Sequence, residues 1–190
     1  MKLLVADIGG TNARFGYQKN KGADIEEVEF LNCADFKNID HAIAHYISKK
    51  KLSIENLSLS VAGPCEDNFV KFTNNHWSFD KKDLLSKTNC TSLLAINDFA
   101  AQALGFTSLF KTHLNFLDKK ILEKHNLQLL NQGSSLEGSN VLITGPGTGL
   151  GVGTLVFIDN VPLPIQGEGG NVNFSPATEL EIELLRWLAK

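Results

Sequence analysis

The sequence predicts an α/β protein built on a mixed sheet, and three observations carry that expectation. Short apolar runs stop abruptly at turn or polar residues: Leu3–Ile8 before Gly9-Gly10, Leu57–Val61 before Gly63-Pro64, and Leu93–Ile96 before Asn97-Asp98. Runs of that length with such boundaries read as strands. Ile39, Ala42, Ile43, Tyr46 and Ile47 recur at helical spacing between two of them. Beyond residue 140 the opening pattern of strand, glycine turn and returning strand appears again.

Taken in order, Leu3–Ile8 and the alternating Ala13–Tyr17 form a hairpin around Gly9-Gly10, and Val28–Leu31 adds a third strand. The first helix closes on Lys49-Lys50-Lys51, cations that suit the negative end of a helix dipole. Leu57–Val61 is a buried strand, a hairpin around Phe69–Phe72 leads through Thr73-Asn74 to a helix at Lys81–Ser86, and Leu93–Ile96 precedes a helix at Phe99–Leu104. Three strands, helix, strand, inserted hairpin, helix, strand and helix make a ribonuclease-H-like layered unit, assigned to residues 1–106. Residues 107–139 are a connection, with a helix expected around Lys119–Leu130 and a polar turn at Asn131–Ser139. A second, partial unit spans 140–190: strands at Val141–Thr144, Gly151–Ile158 and Pro162–Gln166, then a helix from Thr178 to Leu188. Three strands and one helix leave apolar faces uncovered, so this unit is expected to need further chain or a partner.

Composition narrows the function classes. Among 190 residues, 43% are hydrophobic and 21% charged, ordinary values for a chain that buries a core. A net charge of −3 argues against an electrostatic nucleic-acid binder. Cys33, Cys65 and Cys90 lie far apart without a CxxC pair, which indicates neither a disulfide framework nor a zinc site. Asp7 interrupts the apolar start before it reaches signal-peptide length, and no later stretch approaches a membrane span. A soluble, cytoplasmic protein is expected.

Four segments carry residues suited to chemistry. At Asp7-Ile8-Gly9-Gly10-Thr11, glycine lets backbone N–H groups approach an anion, Thr11 adds a hydroxyl, and Asp7 suits orientation of water around a phosphate-bound Mg²⁺. A tight hairpin turn accounts for the same pair of glycines. No Gly-Lys-Ser/Thr follows and no helix starts there, so the segment is neither a Walker loop nor a dinucleotide fingerprint. Gly145 to Gly151, with Gly147, Thr148 and Gly149 at its centre, is a second glycine turn that alone is equally a structural link. Two such turns at matching places in two similar units are more informative, because facing hairpins can grip one polyphosphate. Asn97-Asp98 follows a buried strand and precedes a helix, where one residue is expected to cap the helix and a carboxylate also suits catalysis. Glu168, flanked by Gly167, Gly169 and Gly170 and followed by Asn171, suits acceptance of hydrogen bonds from sugar hydroxyls, or a solvated turn. His41, His45, His113 and His125 have no metal-ligand spacing.

In combination these segments resemble the bacterial glucokinase family from Leu3 to Leu188. Five blocks match in order: Ala6–Arg14, Val61–Pro64 with Thr73–Phe79, Ile96–Ala100, Gly145–Gly151 and Gly167–Pro176. The resemblance implies an actin- and hexokinase-type ATPase fold. Ala6, Asp7, Ile8, Gly9, Gly10 and Thr11 then form one ATP-phosphate loop, and Gly147, Thr148 and Gly149 the other. It further implies that Asn97, Asp98, Glu168 and Asn171 bind glucose and that Asp98 is the general base for phosphoryl transfer from ATP to the 6-hydroxyl. Mg²⁺ is expected to be held mainly by the nucleotide, and the full-length family form implies a homodimer.

Two departures qualify the resemblance. The family's sugar loop reads Glu-Gly-Gly-His, whereas Asn171 stands at the histidine position, with shorter reach and no ring. Family members also extend well past residue 190, through a further sugar-contacting glutamate, an adenosine-binding segment and a final helix of the first domain. The chain is therefore expected to be an amino-terminal portion with weak or no activity alone. A non-catalytic sugar-binding or regulatory remnant is the second expectation. A related transcriptional regulator is disfavoured, since no helix-turn-helix precedes Leu3 and the zinc-binding cysteine cluster of repressor relatives is absent.

Overall fold

The computed structural model describes residues 1–65, 67–107, 123, 126–131, 139–146, 150–159, 161–167, 169 and 172–190. Strands β1 (Leu3–Ile8) and β2 (Asn12–Gln18) make the hairpin around Gly9-Gly10, and β3 (Glu26–Asn32) extends it. A short 3-10 turn, Cys33–Asp35, leads to α1 (Ile39–Lys50). Asn38 caps α1 by accepting the Ile39 N–H, and Lys51 ends it in the left-handed region at φ 54°. Strand β4 (Asn56–Val61) precedes a small hairpin of β5 (Phe69–Lys71) and β6 (Ser78–Asp80), then α2 (Lys81–Thr88), β7 (Ser92–Asn97) and α3 (Asp98–Thr107). Later come β8 (Val141–Pro146), β9 (Leu150–Ile158), β10 (Val161–Gly167) and α4 (Glu179–Leu188). Of the helix expected around Lys119–Leu130, residues 127–130 are not helical and most of the remainder lies outside the described residues, as does most of the polar turn that follows.

A five-stranded sheet has the order β3-β2-β1-β4-β7. Strand β2 runs antiparallel to β1 and β3, whereas β1, β4 and β7 are mutually parallel. Their register pairs Ile8 with Val61 and Val61 with Asn97, so the three parallel strands end level. Gly9-Gly10, Ala62-Gly63 and Asp98 leave the sheet along that one edge, the edge where open α/β sheets bind ligands.

Alternation along the strands sets the core. Leu4, Ala6 and Ile8 of β1 and Leu57, Leu59 and Val61 of β4 are buried with Ile39, Ala42, Ile43 and Tyr46 of α1 in one cluster. Full burial of each large aliphatic side chain contributes about 1.5–3 kcal/mol. The opposite face is open, with Val28, Phe30 and Leu94 each more than half exposed.

The second sheet is β10-β9-β8, antiparallel throughout. Helix α3, not α4, packs on it, burying Ala100 and Ala103, while α4 buries none of its residues. Leu142 and Ile165 stand more than half exposed, as expected of so small a unit. Among the described residues no helix is long and apolar enough to cross a membrane.

Candidate active site

A cleft of about 520 Å³ opens at the level ends of the parallel strands. Gly9, Gly10, Ala62, Gly63, Thr73 and Asn74 form its wall on the first sheet, and Gly145, Pro146, Leu150, Gly151 and Gly167 form the wall on the second. Asn97, Asp98 and Gln102, at the end of β7 and on α3, lie between. Among the described lining residues there is no Lys or Arg, so backbone N–H groups and the uncharged side chains of Thr73, Asn74, Asn97 and Gln102 are what this surface offers an anion.

The first glycine block divides in four. Gly9 and Gly10 reach the cleft. Ile8 is fully buried in the core. Asp7 lines a different cavity, of about 510 Å³, on the open face of the sheet, which Ala6, its side chain buried in the core cluster, also borders. The Asp7 carboxylate accepts from the Ser60 hydroxyl at 3.2 Å and pairs with Arg14 at 3.4 Å. Thr11 is exposed, and its carbonyl accepts the Cys33 N–H at 2.8 Å. Gly147, Thr148, Gly149, Glu168 and Asn171 lie outside the described residues. Their neighbours Pro146, Leu150 and Gly167 do line the cleft.

Asn97 holds the local fold together. Its Oδ1 accepts the N–H groups of Phe99 at 3.0 Å and Ala100 at 3.2 Å, which caps α3, and its Nδ2 donates to the Gly63 carbonyl at 3.5 Å. Asp98 is the first residue of α3, and its Oδ1 accepts the Phe99 N–H at 2.9 Å. The carboxylate therefore sits at a helix N-terminus, where the backbone dipoles favour negative charge.

Sequence reasoning gave no role to Ala62, Gly63, Thr73, Asn74 or Gln102, all of which line the cleft. The signal for the first two was present in the level register of β1, β4 and β7, since whatever follows each strand must meet at one edge.

Sheet order, level strand ends and a cleft between two glycine-rich hairpins fit the class of actin- and hexokinase-type folds. Among solved structures, a glucokinase from an Antarctic psychrotroph superposes with a TM-score of 0.74 at 31% identity, covering 97% of this chain and 55% of that one. A ROK family glucokinase from Streptomyces griseus in complex with glucose and AMPPNP gives a TM-score of 0.53 at 18% identity, over 92% of this chain and 49% of that one, and shows the fold alone. The glucokinase of Hahella chejuensis is 36% identical over 97% of this chain and 54% of its own length. The glucokinase family model matches residues 4–190, and the chain belongs to the glucokinase family. It spans about half the length of the curated relatives it matches.

Proposed function

We propose that this chain supplies the first phosphate turn, the general base and part of the sugar loop of an ATP-dependent glucose 6-phosphotransferase. One observation carries the reading: Gly9-Gly10 and Asp98 share a cleft with Pro146 and Leu150, the residues flanking Gly147, Thr148 and Gly149. Asp98 accepts the proton of the sugar 6-hydroxyl as that oxygen attacks, and its place on a helix N-terminus fixes the carboxylate without flexible side-chain search. Asn97 Oδ1 is committed to capping α3, which leaves Nδ2, with its long 3.5 Å bond to Gly63, as the donor for a sugar hydroxyl. Glu168 and Asn171 hold the remaining hydroxyls.

The residues present fit a polyphosphate. A Cβ on Gly10 would lie 2.9 Å from the Asn74 carbonyl oxygen, so only glycine leaves the backbone N–H at the wall surface. Bound ATP with Mg²⁺ supplies the transferable phosphoryl group and neutralises its charge. The family resemblance implies that the ion would rest mainly on the nucleotide.

A coupled assay of glucose 6-phosphate formation tests the proposal. The chain alone should turn over slowly or not at all. Fused to the distal half of the Hahella chejuensis relative it should gain activity, which Asp98→Asn should remove. Activity that persists in the Asp98→Asn fusion would overturn the role given to Asp98. A fusion that binds glucose without turnover would favour the sugar-binding remnant, the reading that Asn171 supports. A cytoplasmic location fits three buried cysteine thiols. Pairing of full-length chains as homodimers follows from the family resemblance and is measurable by sedimentation.

A further inference from the structure

Behind the first glycine turn lies a side chain with no role so far. Asn75 donates from Nδ2 to the Gly9 carbonyl at 3.2 Å, while its Oδ1 accepts the Trp77 N–H at 3.1 Å. Both ends of the amide are in use, so its orientation is fixed: turned over, it would set oxygen against the Gly9 carbonyl oxygen. The segment carrying it is itself held. Trp77 is 1% exposed, donates from Nε1 to the Phe36 carbonyl at 3.1 Å and meets Phe72 edge to face. The Cys33 thiol approaches the same Gly9 carbonyl, with Sγ at 4.0 Å, and burial keeps that thiol's pKa above its ordinary value, so it remains a donor.

Gly9, Gly10 and Asn74 line the cleft, whereas Asn75 stands behind that wall. In a trans peptide the carbonyl and the following N–H point in opposite directions. Drawing the Gly9 carbonyl backward therefore turns the Gly10 N–H forward. We propose that Asn75 is a positioning residue for phosphate binding: its amide holds the Gly9 carbonyl from behind and so aims the Gly10 N–H into the cleft, toward a nucleotide phosphate oxygen. This rests on the nucleotide reading of the cleft given above.

The test titrates the 190-residue chain with inorganic tripolyphosphate while the Gly10 amide is followed by ¹H–¹⁵N correlation spectroscopy, for wild type, Asn75→Ala and Asn75→Ser. Serine retains a hydroxyl for the Trp77 N–H but is too short to reach Gly9, so it preserves the local turn if alanine does not. Wild type should bind with a saturable shift of the Gly10 resonance. Both variants should unfold near the wild-type temperature, show a displaced Gly10 resonance before any ligand is added, and bind roughly tenfold more weakly. Folded variants with wild-type affinity would overturn the role of Asn75 and leave the nucleotide reading standing. No binding by wild type would overturn both.

Discussion

The Phe99 ring fills the space that a side chain on Gly151 would need: a Cβ there would come within 1.7 Å of it. Gly145 faces the same ring at 3.4 Å, and a Cβ on Gly153 would lie 3.0 Å from the Phe99 carbonyl oxygen. Gly151 and Gly153 of β9 are thus needed for packing, whereas a Cβ on Gly145 would make an ordinary contact. The two β9 glycines seat the residue that directly follows Asp98, which links the proposed base to the second hairpin.

Gly151→Ala is expected to destabilise the chain by about 1–3 kcal/mol through overpacking, read from urea unfolding. Phe99→Ala removes the obstructing ring. The double variant should therefore be more stable than the sum of the single effects by more than ~0.5 kcal/mol, and additive behaviour would disprove the contact.

Gly10→Ala places its methyl group against backbone, 2.9 Å from the Asn74 oxygen, so the turn or the Thr73–Asn75 segment must move. A stability loss of about 1–3 kcal/mol is expected together with loss of tripolyphosphate binding. Calorimetric titration beside thermal unfolding checks both, and wild-type values would show that the approach is looser than described.

Asn97 serves two purposes that substitution can separate. Asn97→Ala removes the cap on α3 and should cost about 1 kcal/mol, whereas Asn97→Asp keeps an oxygen for the Phe99 and Ala100 N–H groups and should be nearly neutral in stability. Both remove the Nδ2 donor, so both should weaken glucose binding. Unimpaired glucose affinity in Asn97→Asp would remove Asn97 from the sugar site.

Tyr46 gives the fold a dependence on alkaline pH. Burial first, then the nearby charges of Glu27 and Glu29, push its pKa up from 10.0 to about 12. A raised folded-state value means the neutral ring's contribution is whole below pH 10 and is lost as pH rises toward about 12. Two pH units correspond to roughly 2–3 kcal/mol. Tyr46→Phe loses the hydrogen bond to the Glu27 carbonyl, 3.0 Å, but has nothing to titrate. Wild type should therefore lead below pH 10 and lose that lead above it in urea unfolding, and parallel curves would contradict the assignment.

Much of this architecture was legible because local rules and packing agree. The spacing of Ile39, Ala42, Ile43 and Tyr46 marks the buried face of α1, and the alternation of Leu4, Ala6 and Ile8 marks the inner face of β1. That same alternation places Asp7 on the opposite face with Arg14 and Ser60, a consequence the motif-based reading passed over. Other features depend on contacts distant in sequence. Nothing near Gly145, Gly151 or Gly153 announces a phenylalanine some fifty residues earlier, and nothing near Asn75 announces the Gly9 carbonyl. Packing of α3 on the second sheet is likewise invisible to periodicity, which shows that a helix has an apolar side but not what covers it.

That packing makes the peptide link between Asn97 and Asp98 a seam. Asn97 belongs by hydrogen bonding to the strand paired with β4, whereas Asp98 begins a helix lodged against β9 and β10. Asn97 spans the two, since its Oδ1 accepts the Phe99 and Ala100 N–H groups while its Nδ2 reaches the Gly63 carbonyl, so a shift of α3 against the first sheet would load that cap. Superposing ligand-free and AMPPNP-saturated forms on β1, β4 and β7 would then show Asp98 displaced along with Phe99 only if the Asn97 contacts to Phe99 and Ala100 lengthen. The position of the proposed base would then depend on how far that cap can stretch.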